Sequence, residues 1–367
     1  MRVVVLSTTT YTCFPKGYGG AEAFAWYLVK GLNSKGHEVT LIAPPQSRTP
    51  ENGKLLHIPC TYGEIDLDAE YKAWEWYKRE FINADYIIDV SLNHIPSEWM
   101  WLEHPEEHWK YVNVINGTVA FAPRIGPKKF VVGSQSWKER LIKGLSDFAD
   151  TPWEDRFGRY IAYPAKEEDV LDVIYWCVDT DMYAYYEDAG VEKEDFLLWM
   201  SRPTPYKGWK EAIDIAKRNN VKLVLMTGIG NKEHEENFKL LKAEADKNGF
   251  EVILNPTHEQ KIEMYQRAKA LLYPISFSEP FGLVVVEALS CGTPVIASSR
   301  GAMPELIEDA KTGFVCDNES EEDFNYAVEV IDSIKPYECR KSAIQKFSID
   351  VCVERYLKLY DKLKERR

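Results

Sequence analysis

Short β-branched runs alternate along the chain with longer segments in which apolar residues recur every three or four positions. Runs at 2–7, 38–43, 86–90, 111–115, 129–133 and 170–175 predict strands, with helices at 21–35, 74–81 and 137–144 between some of them. Within 21–35, Ala21, Phe24, Ala25, Leu28 and Leu32 share one helical face, and Lys35-Gly36 supplies a cationic last turn and a stop. Segments 44–70 and 146–168 show neither period and read as irregular. A second series runs through strands at 196–201, 221–227, 250–254, 270–274 and 294–298, with helices in the gaps, 209–218 among them, and 352–364 forms a final amphipathic helix. The pattern predicts two doubly wound parallel sheets, with the acidic, non-periodic 186–195 as linker. Ligands of such sheets lie outside the carboxyl ends of the strands, so two sheets facing each other would share a cleft.

A length of 367 residues agrees with two domains. Lys plus Arg number 45 against 58 for Asp plus Glu, and the net charge of −13 opposes broad attraction to nucleic acid or anionic lipid. Any phosphate site must be local. The apolar start Val3-Val4-Val5-Leu6 is too short for a signal sequence, and no stretch approaches the ~18 apolar residues of a membrane span, so a cytoplasmic protein is expected. Seven cysteines without a C-x-x-C pair indicate reduced thiols rather than disulfides or a zinc ribbon. Asn116-Gly117-Thr118 and Asn318-Glu319-Ser320 read as chance glycosylation sequons.

Candidate chemistry gathers at three strand-to-helix loops. After the strand ending near Pro274 comes Glu279-Pro280-Phe281-Gly282-Leu283, which opens a helix that carries Glu287 and stops at Gly292. Unsatisfied amides at the Phe281, Gly282 and Leu283 helix start attract phosphate oxygens. Were Glu279 and Glu287 on one helix, eight residues would place them roughly 12 Å apart, too far for the carboxylate pair of a glycosidase. Taken alone, they also fit a loop acid and a salt-bridged helix residue. The second loop holds Arg202 and Lys207-Gly208, two cations of complementary geometry for a diphosphate. The third, Gly19-Gly20-Ala21-Glu22, resembles a phosphate loop only loosely, because a dinucleotide fingerprint needs a small residue where Glu22 stands. His104-Pro105-Glu106-Glu107-His108 matches a metalloprotease pattern literally, but Pro105 takes His104 out of helical geometry, and no metal is expected. Trp99, Trp101 and Trp109 around it read as ordinary core or, less readily, as an aromatic wall for a sugar ring.

The loops just described, with Gly36-His37-Glu38-Val39, Val178-Asp179-Thr180-Asp181, Gly228-Ile229-Gly230, Gly292-Thr293-Pro294, Pro304-Glu305 and the terminal Phe347-Ser348 to Tyr360, occur in an order that resembles the retaining, nucleotide-sugar-dependent glycosyltransferases of family 4 over nearly the whole chain. The Glu279-to-Glu287 segment matches the family's E-x7-E motif. The resemblance implies the GT-B fold, an α/β architecture of two Rossmann-like doubly wound domains facing across a cleft. An acceptor-binding domain would span 1–185 plus a crossover helix at 350–367, and a nucleotide-sugar-binding domain 186–349. It further implies that Glu279 holds donor-sugar hydroxyls, Glu287 the ribose, and Arg202 and Lys207 the diphosphate. Phe281, Gly282, Leu283 and Gly228 would line the donor, with Gly19 and Gly20 closing from the first domain. No metal or other cofactor is implied beyond the nucleoside-diphosphate sugar as substrate. Hexosyl transfer would occur on the front face with retention, to a glycan, lipid-linked or small-molecule acceptor.

Where many members carry a histidine after an amino-domain strand, this chain reads Val114-Ile115-Asn116-Gly117-Thr118, so Asn116 or the nearby His94 would assist the acceptor. Two rivals share the features read so far: a non-hydrolysing nucleotide-sugar epimerase of the same fold, and a non-catalytic nucleotide-sugar-binding protein. Residues 124–143 hold Arg124, Lys128, Lys129, Lys138, Arg140 and Lys143, which read either as a solvated face or as a weak peripheral contact with an anionic acceptor or the inner membrane face.

Overall fold

The computed structural model describes residues 1–14, 19–60, 63, 66–115, 123, 125–145 and 165–367. Its chain divides into two compact units, each around its own parallel sheet.

The first sheet has seven strands: β1 (Arg2–Leu6), β2 (Glu38–Ala43), β3 (Lys54–His57), β4 (Tyr86–Asp89), β5 (Tyr111–Ile115), β6 (Phe130–Val132) and β7 (Val170–Val173), in the order β3-β2-β1-β4-β5-β6-β7. Helices α1 (Gly20–Ser34), α2 (Leu67–Asn83), α3 (Ile95–Glu103) and α4 (Gln135–Lys143) connect them. Every residue of β4 and β5 is buried, as expected of strands covered on both faces. The second sheet has β8 (Phe196–Met200), β9 (Lys222–Thr227), β10 (Glu251–Leu254), β11 (Ala270–Tyr273), β12 (Val295–Ser298) and β13 (Gly313–Cys316), in the order β10-β9-β8-β11-β12-β13. Its helices are α5 (Trp209–Arg218), α6 (Lys232–Lys247), α7 (His258–Arg267), α8 (Leu283–Ser290), α9 (Met303–Leu306), α10 (Glu321–Val330) and α11 (Pro336–Phe347). The terminal helix α12 (Ile349–Glu365) returns to the first unit, where it packs on α1 and brings Tyr360 against Tyr86 at 5.2 Å.

Several expectations need correction. Segment 44–70 is not wholly irregular: it holds the edge strand β3 and the start of α2, whose first turn is capped by the Asp66 carboxylate accepting from the Ala69 amide at 2.9 Å. Leu55 and Leu56 of β3 are only half-buried, so four residues carry too little apolar signal to be recognised. The helix expected at 74–81 runs from Leu67 to Asn83, and α3 and β13 were not anticipated. Of segment 146–168, residues 146–164 lie outside the described residues.

The unit boundary falls between Cys177 and Val178 rather than at 185/186, and between Ser348 and Ile349 rather than at 349/350. Hydrogen bonding explains the shift. The Val178 amide donates to Phe347 O at 2.8 Å, and the Arg340 guanidinium donates to Thr180 O, Tyr183 O and Ser290 O within 3.0 Å. Residues 186–195, acidic and without periodicity, are likewise tied to the second unit: the Glu194 amide donates to Arg267 O at 2.7 Å, and the Tyr186 amide to Cys291 O at 3.3 Å. No described helix is long and apolar enough to cross a membrane.

Candidate active site

In the second sheet β8 lies between β9 and β11, so the chain leaves β8 toward one side and returns through β11 on the other. The carboxyl ends of these two strands mark the crevice where doubly wound sheets bind ligands. The loop after β8 carries Arg202 and Lys207; the loop after β11 carries Glu279.

The two loops are knitted together. Ser276 donates its amide to Tyr206 O at 3.0 Å, the Trp199 indole on β8 donates to Lys207 O at 2.9 Å, and the Tyr206 and Phe277 rings meet edge to face at 5.0 Å. Gly208 turns the chain at φ +78°, and a Cβ there would lie 2.0 Å from Pro274 O, so the approach of the loops requires glycine. Gly301 does the same for Glu279: a Cβ would stand 2.2 Å from Glu279 O, and the neighbouring Ala302 amide donates to that carbonyl at 2.9 Å.

At the crevice Lys207 Nζ lies 2.7 Å from Glu279 Oε2 and 3.1 Å from the Tyr273 hydroxyl, which itself donates to Glu279 Oε2 at 2.6 Å. The Phe277 ring centre is 4.3 Å from the ammonium, close enough for a cation–π contact. The Lys207 and Glu279 side chains are 9% and 13% exposed, reachable by a ligand but largely shielded from water. Arg202 lies close enough to His234, whose Nδ1 accepts from the Gly230 amide at 3.2 Å in the loop after β9, for its charge to act there; burial first, and then the Arg202 charge, lower the His234 imidazole below its ordinary range. Gly282, at φ +103°, precedes α8 and provides no side-chain cap, which leaves the first amides of that helix to a ligand or water. Phe281 is buried, its ring edge-on to Phe347 at 6.1 Å.

Glu287 lies elsewhere. Its carboxylate is fully buried and receives three donors: Tyr183 Oη at 2.8 Å, Lys261 Nζ at 2.7 Å and Tyr265 Oη at 2.9 Å. This is the salt-bridged arrangement, and the two glutamates belong to separate networks rather than forming a pair. Burial, and then Glu287, push the Tyr265 phenol far above its ordinary range, so it stays a donor. Arg340, bonded to the Tyr183 and Ser290 carbonyls, braces both Tyr183 and the end of α8.

In the first unit Gly19 precedes α1 and Gly20 opens it. Glu22 is buried and accepts from the Thr8 hydroxyl at the end of β1, so the residue that spoils the dinucleotide fingerprint fastens the loop. His94, a candidate for assisting the acceptor, is buried at φ +55° ahead of α3, with Nδ1 3.5 Å from Asp89 Oδ1. Burial works against the Asp89 charge, yet the His94 charge and hydrogen bonds from His94, Ser91 and Tyr111 hold its carboxyl below the ordinary range. Glu70 accepts from the amides of Leu92, Asn93 and Ile95 at 3.0–3.2 Å and locks this loop. Such an imidazole is packed, not presented to solvent. Asn116 and Arg124 lie outside the described residues.

Within the basic segment Lys128, Lys129, Lys138 and Arg140 are half-buried and Lys143 is exposed. Lys128 donates to Pro123 O, Lys129 donates to His108 O at 2.7 Å with burial lowering its ammonium to about 8, and Lys138 pairs with Glu167. His104 closes α3 while His108 stacks on Tyr111 at 5.6 Å, so the two histidines share no helix face.

Sequence signals existed for Arg202, Lys207, Glu279 and Glu287, but not for Tyr273, Lys261, Tyr183 or Arg340. Tyr273 reads as an ordinary strand aromatic, and the other three are remote in sequence from the groups they bond.

Residues 187–345 match the family model described as Glycosyl transferases group 1. A protein of the cps region of Klebsiella pneumoniae, described as an uncharacterized 41.2 kDa protein, is 30% identical over 69% of this chain and 73% of its own length. D-inositol 3-phosphate glycosyltransferase from Mycobacterium sp. strain JLS is 30% identical over 48% of this chain, and the chain spans less than half, 42%, of that relative. Among solved structures, AviGT4, a glycosyltransferase involved in avilamycin A biosynthesis, superposes with a TM-score of 0.72 at 23% identity, covering 100% of this chain and 98% of that one. Residues 187–345 therefore form a glycosyl transferases group 1 domain, in a chain of GT-B fold.

Proposed function

We propose that the protein transfers a hexosyl group from a nucleoside-diphosphate sugar to an acceptor hydroxyl, by the metal-independent, retaining, front-face route of glycosyltransferase family 4, whose E-x7-E motif Glu279 and Glu287 match. The observation that carries this reading is the union of Lys207, Glu279 and Tyr273 in the crevice between β8 and β11. Lys207 and Arg202 supply positive charge for the leaving diphosphate, and the amides opening α8 supply donors at the same loop. Glu279 accepts from sugar hydroxyls. Glu287 serves the ribose end through the network it anchors, since its own carboxylate already receives three donors. Leaving-group stabilisation is then the main catalytic contribution, and loss of one such donor costs on the order of 10²–10³ in rate. The acceptor is assigned to the first unit, as a glycan, lipid-linked or small-molecule hydroxyl.

The test is thermal stabilisation by UDP, ADP and GDP in the presence of EDTA, for the wild type and Lys207→Ala. A nucleotide at a hundred times its Kd adds about 2.7 kcal/mol. One nucleotide should stabilise the wild type and fail to stabilise the variant; stabilisation that requires metal, or that survives in Lys207→Ala, would refute the assignment. Product sugar formed without any acceptor would point instead to an epimerase.

A further inference from the structure

The contact between Lys207 and Glu279 bears on how a donor would enter. A diphosphate needs the ammonium, yet the ammonium already lies 2.7 Å from Glu279 Oε2, with both side chains mostly withdrawn from water. When Lys207 turns to phosphate, the carboxylate loses a charged partner in a shielded place, and a carboxylate so released moves toward water unless another donor keeps it. Tyr273 is placed to do so. It is the last residue of β11, an internal strand that pairs with β8 and β12, and its ring is buried, so its hydroxyl is carried by the sheet rather than by a loop. The hydroxyl donates to Glu279 Oε2 at 2.6 Å while accepting from Lys207 at 3.1 Å. The single hydrogen of the phenol is already given to Glu279, and its ring is fixed in the sheet, so it does not follow the ammonium. The Glu279 backbone is held independently by Gly301 and Ala302, which leaves the carboxylate direction as the one quantity the phenol controls.

We propose that Tyr273 is a positioning residue of the donor site: its hydroxyl keeps the Glu279 carboxylate aimed at the donor sugar while Lys207 exchanges that carboxylate for the diphosphate. The proposal rests on the donor reading above. It separates two tasks in one triangle, nucleotide capture by Lys207 and sugar recognition by the Tyr273–Glu279 pair.

Tyr273→Phe removes one oxygen and keeps the ring; should it fail to melt cooperatively, Tyr273→Met fills the space with a flexible apolar chain. Two measurements are combined. Without ligand, the melting temperature of Tyr273→Phe is compared in the wild-type and Glu279→Met backgrounds. The hydroxyl should matter more in the first than in the second, where only its contact with Lys207 remains, and an equal or greater loss in the second overturns the Tyr273–Glu279 anchor. With ligand, UDP, ADP and GDP are titrated beside UDP-glucose, ADP-glucose and GDP-mannose. The variant should bind the nucleoside diphosphate within about threefold of the wild type, lose about tenfold or more of its preference for the sugar-bearing form, and fall in kcat more than the diphosphate affinity falls. A preserved preference for the nucleotide sugar, or a loss of diphosphate binding itself, overturns the proposal. If none of the six compounds stabilises the wild type, the donor reading fails and this role for Tyr273 fails with it, whereas the ligand-free melts still judge the anchor by itself.

Discussion

Lys261→Met tests whether the buried network behind α8 holds the second unit together. The substitution keeps the aliphatic stem and removes the ammonium 2.7 Å from Glu287, whose side chain is 1% exposed. A carboxylate deprived of its counter-charge in such a place costs roughly 3–5 kcal/mol. Two phenols still donate to Glu287, and position 261 is partly open to water, its side chain 13% exposed, so the lower end, about 3 kcal/mol, is expected. For a unit spanning Val178–Ser348, each kcal/mol moves the melting temperature by about 2–4 °C, giving a drop of about 6–12 °C. Hydrogen exchange in β8, β11 and β12 reads this unit apart from the first. Glu287→Gln added to Lys261→Met removes the unpaired charge and should recover about 2 kcal/mol. A cost below about 1 kcal/mol, the size of an exposed pair, or a double variant no more stable than the single one, would refute the view that charge compensation governs Glu287.

Three further outcomes follow from the geometry. Gly208→Ala places a Cβ against Pro274 O at positive φ and should cost about 1–3 kcal/mol while abolishing nucleotide stabilisation, because Lys207 is the adjacent residue; melting with and without UDP, ADP and GDP reads both effects. His94→Gln withdraws a partner from buried Asp89 and should destabilise by about 1–3 kcal/mol with nucleotide stabilisation intact, whereas unchanged melting with lost turnover would make His94 a catalytic residue. Lys193, bonded to Thr293 and lowered by burial to about 8, binds its proton less readily folded than unfolded. Between about pH 8 and 10.4 the unfolded chain therefore holds more protons, and stability contributed by this site rises with pH. The neighbouring Cys291 and Cys339 thiols, pushed up to about 12 by burial, stay protonated throughout that window. Urea unfolding of wild type and Lys193→Met at pH 7 and 9.5 should show the difference shifting toward the wild type by on the order of 1–2 kcal/mol, and a shift of the opposite sign would refute it.

Much of the fold is legible because its signals are local. Strands buried on both faces are apolar throughout, and helices carry a repeat of three or four, so β2, β5 and α5 fall where periodicity places them. β3 escapes because Lys54 and His57 leave it two leucines and no β-branched residue, and β13 because it opens on Gly313, whereas the edge strands β7 and β10 each carry two β-branched residues. The unit boundary escapes because the backbone of Val178 is held by Phe347, at the far end of the unit, and no local composition records that bond.

At the site, residue types alone mark Arg202, Lys207, Glu279 and Glu287 as chemistry worth explaining. Charges are rare near apolar strand ends, so their positions stand out in a one-dimensional reading. What each carboxylate bonds depends on partners brought in from other elements: Tyr273 and Lys207 to Glu279, but Lys261, Tyr183 and Tyr265 to Glu287. Likewise His94 looks available along the chain and proves buried beside Asp89. Periodicity, turn residues and charge therefore sufficed for the two-sheet plan and its reactive loops, since each depends on neighbours a few residues apart. Burial and pairing decided which side chains can meet a ligand, and those depend on which strands become adjacent once the sheet closes.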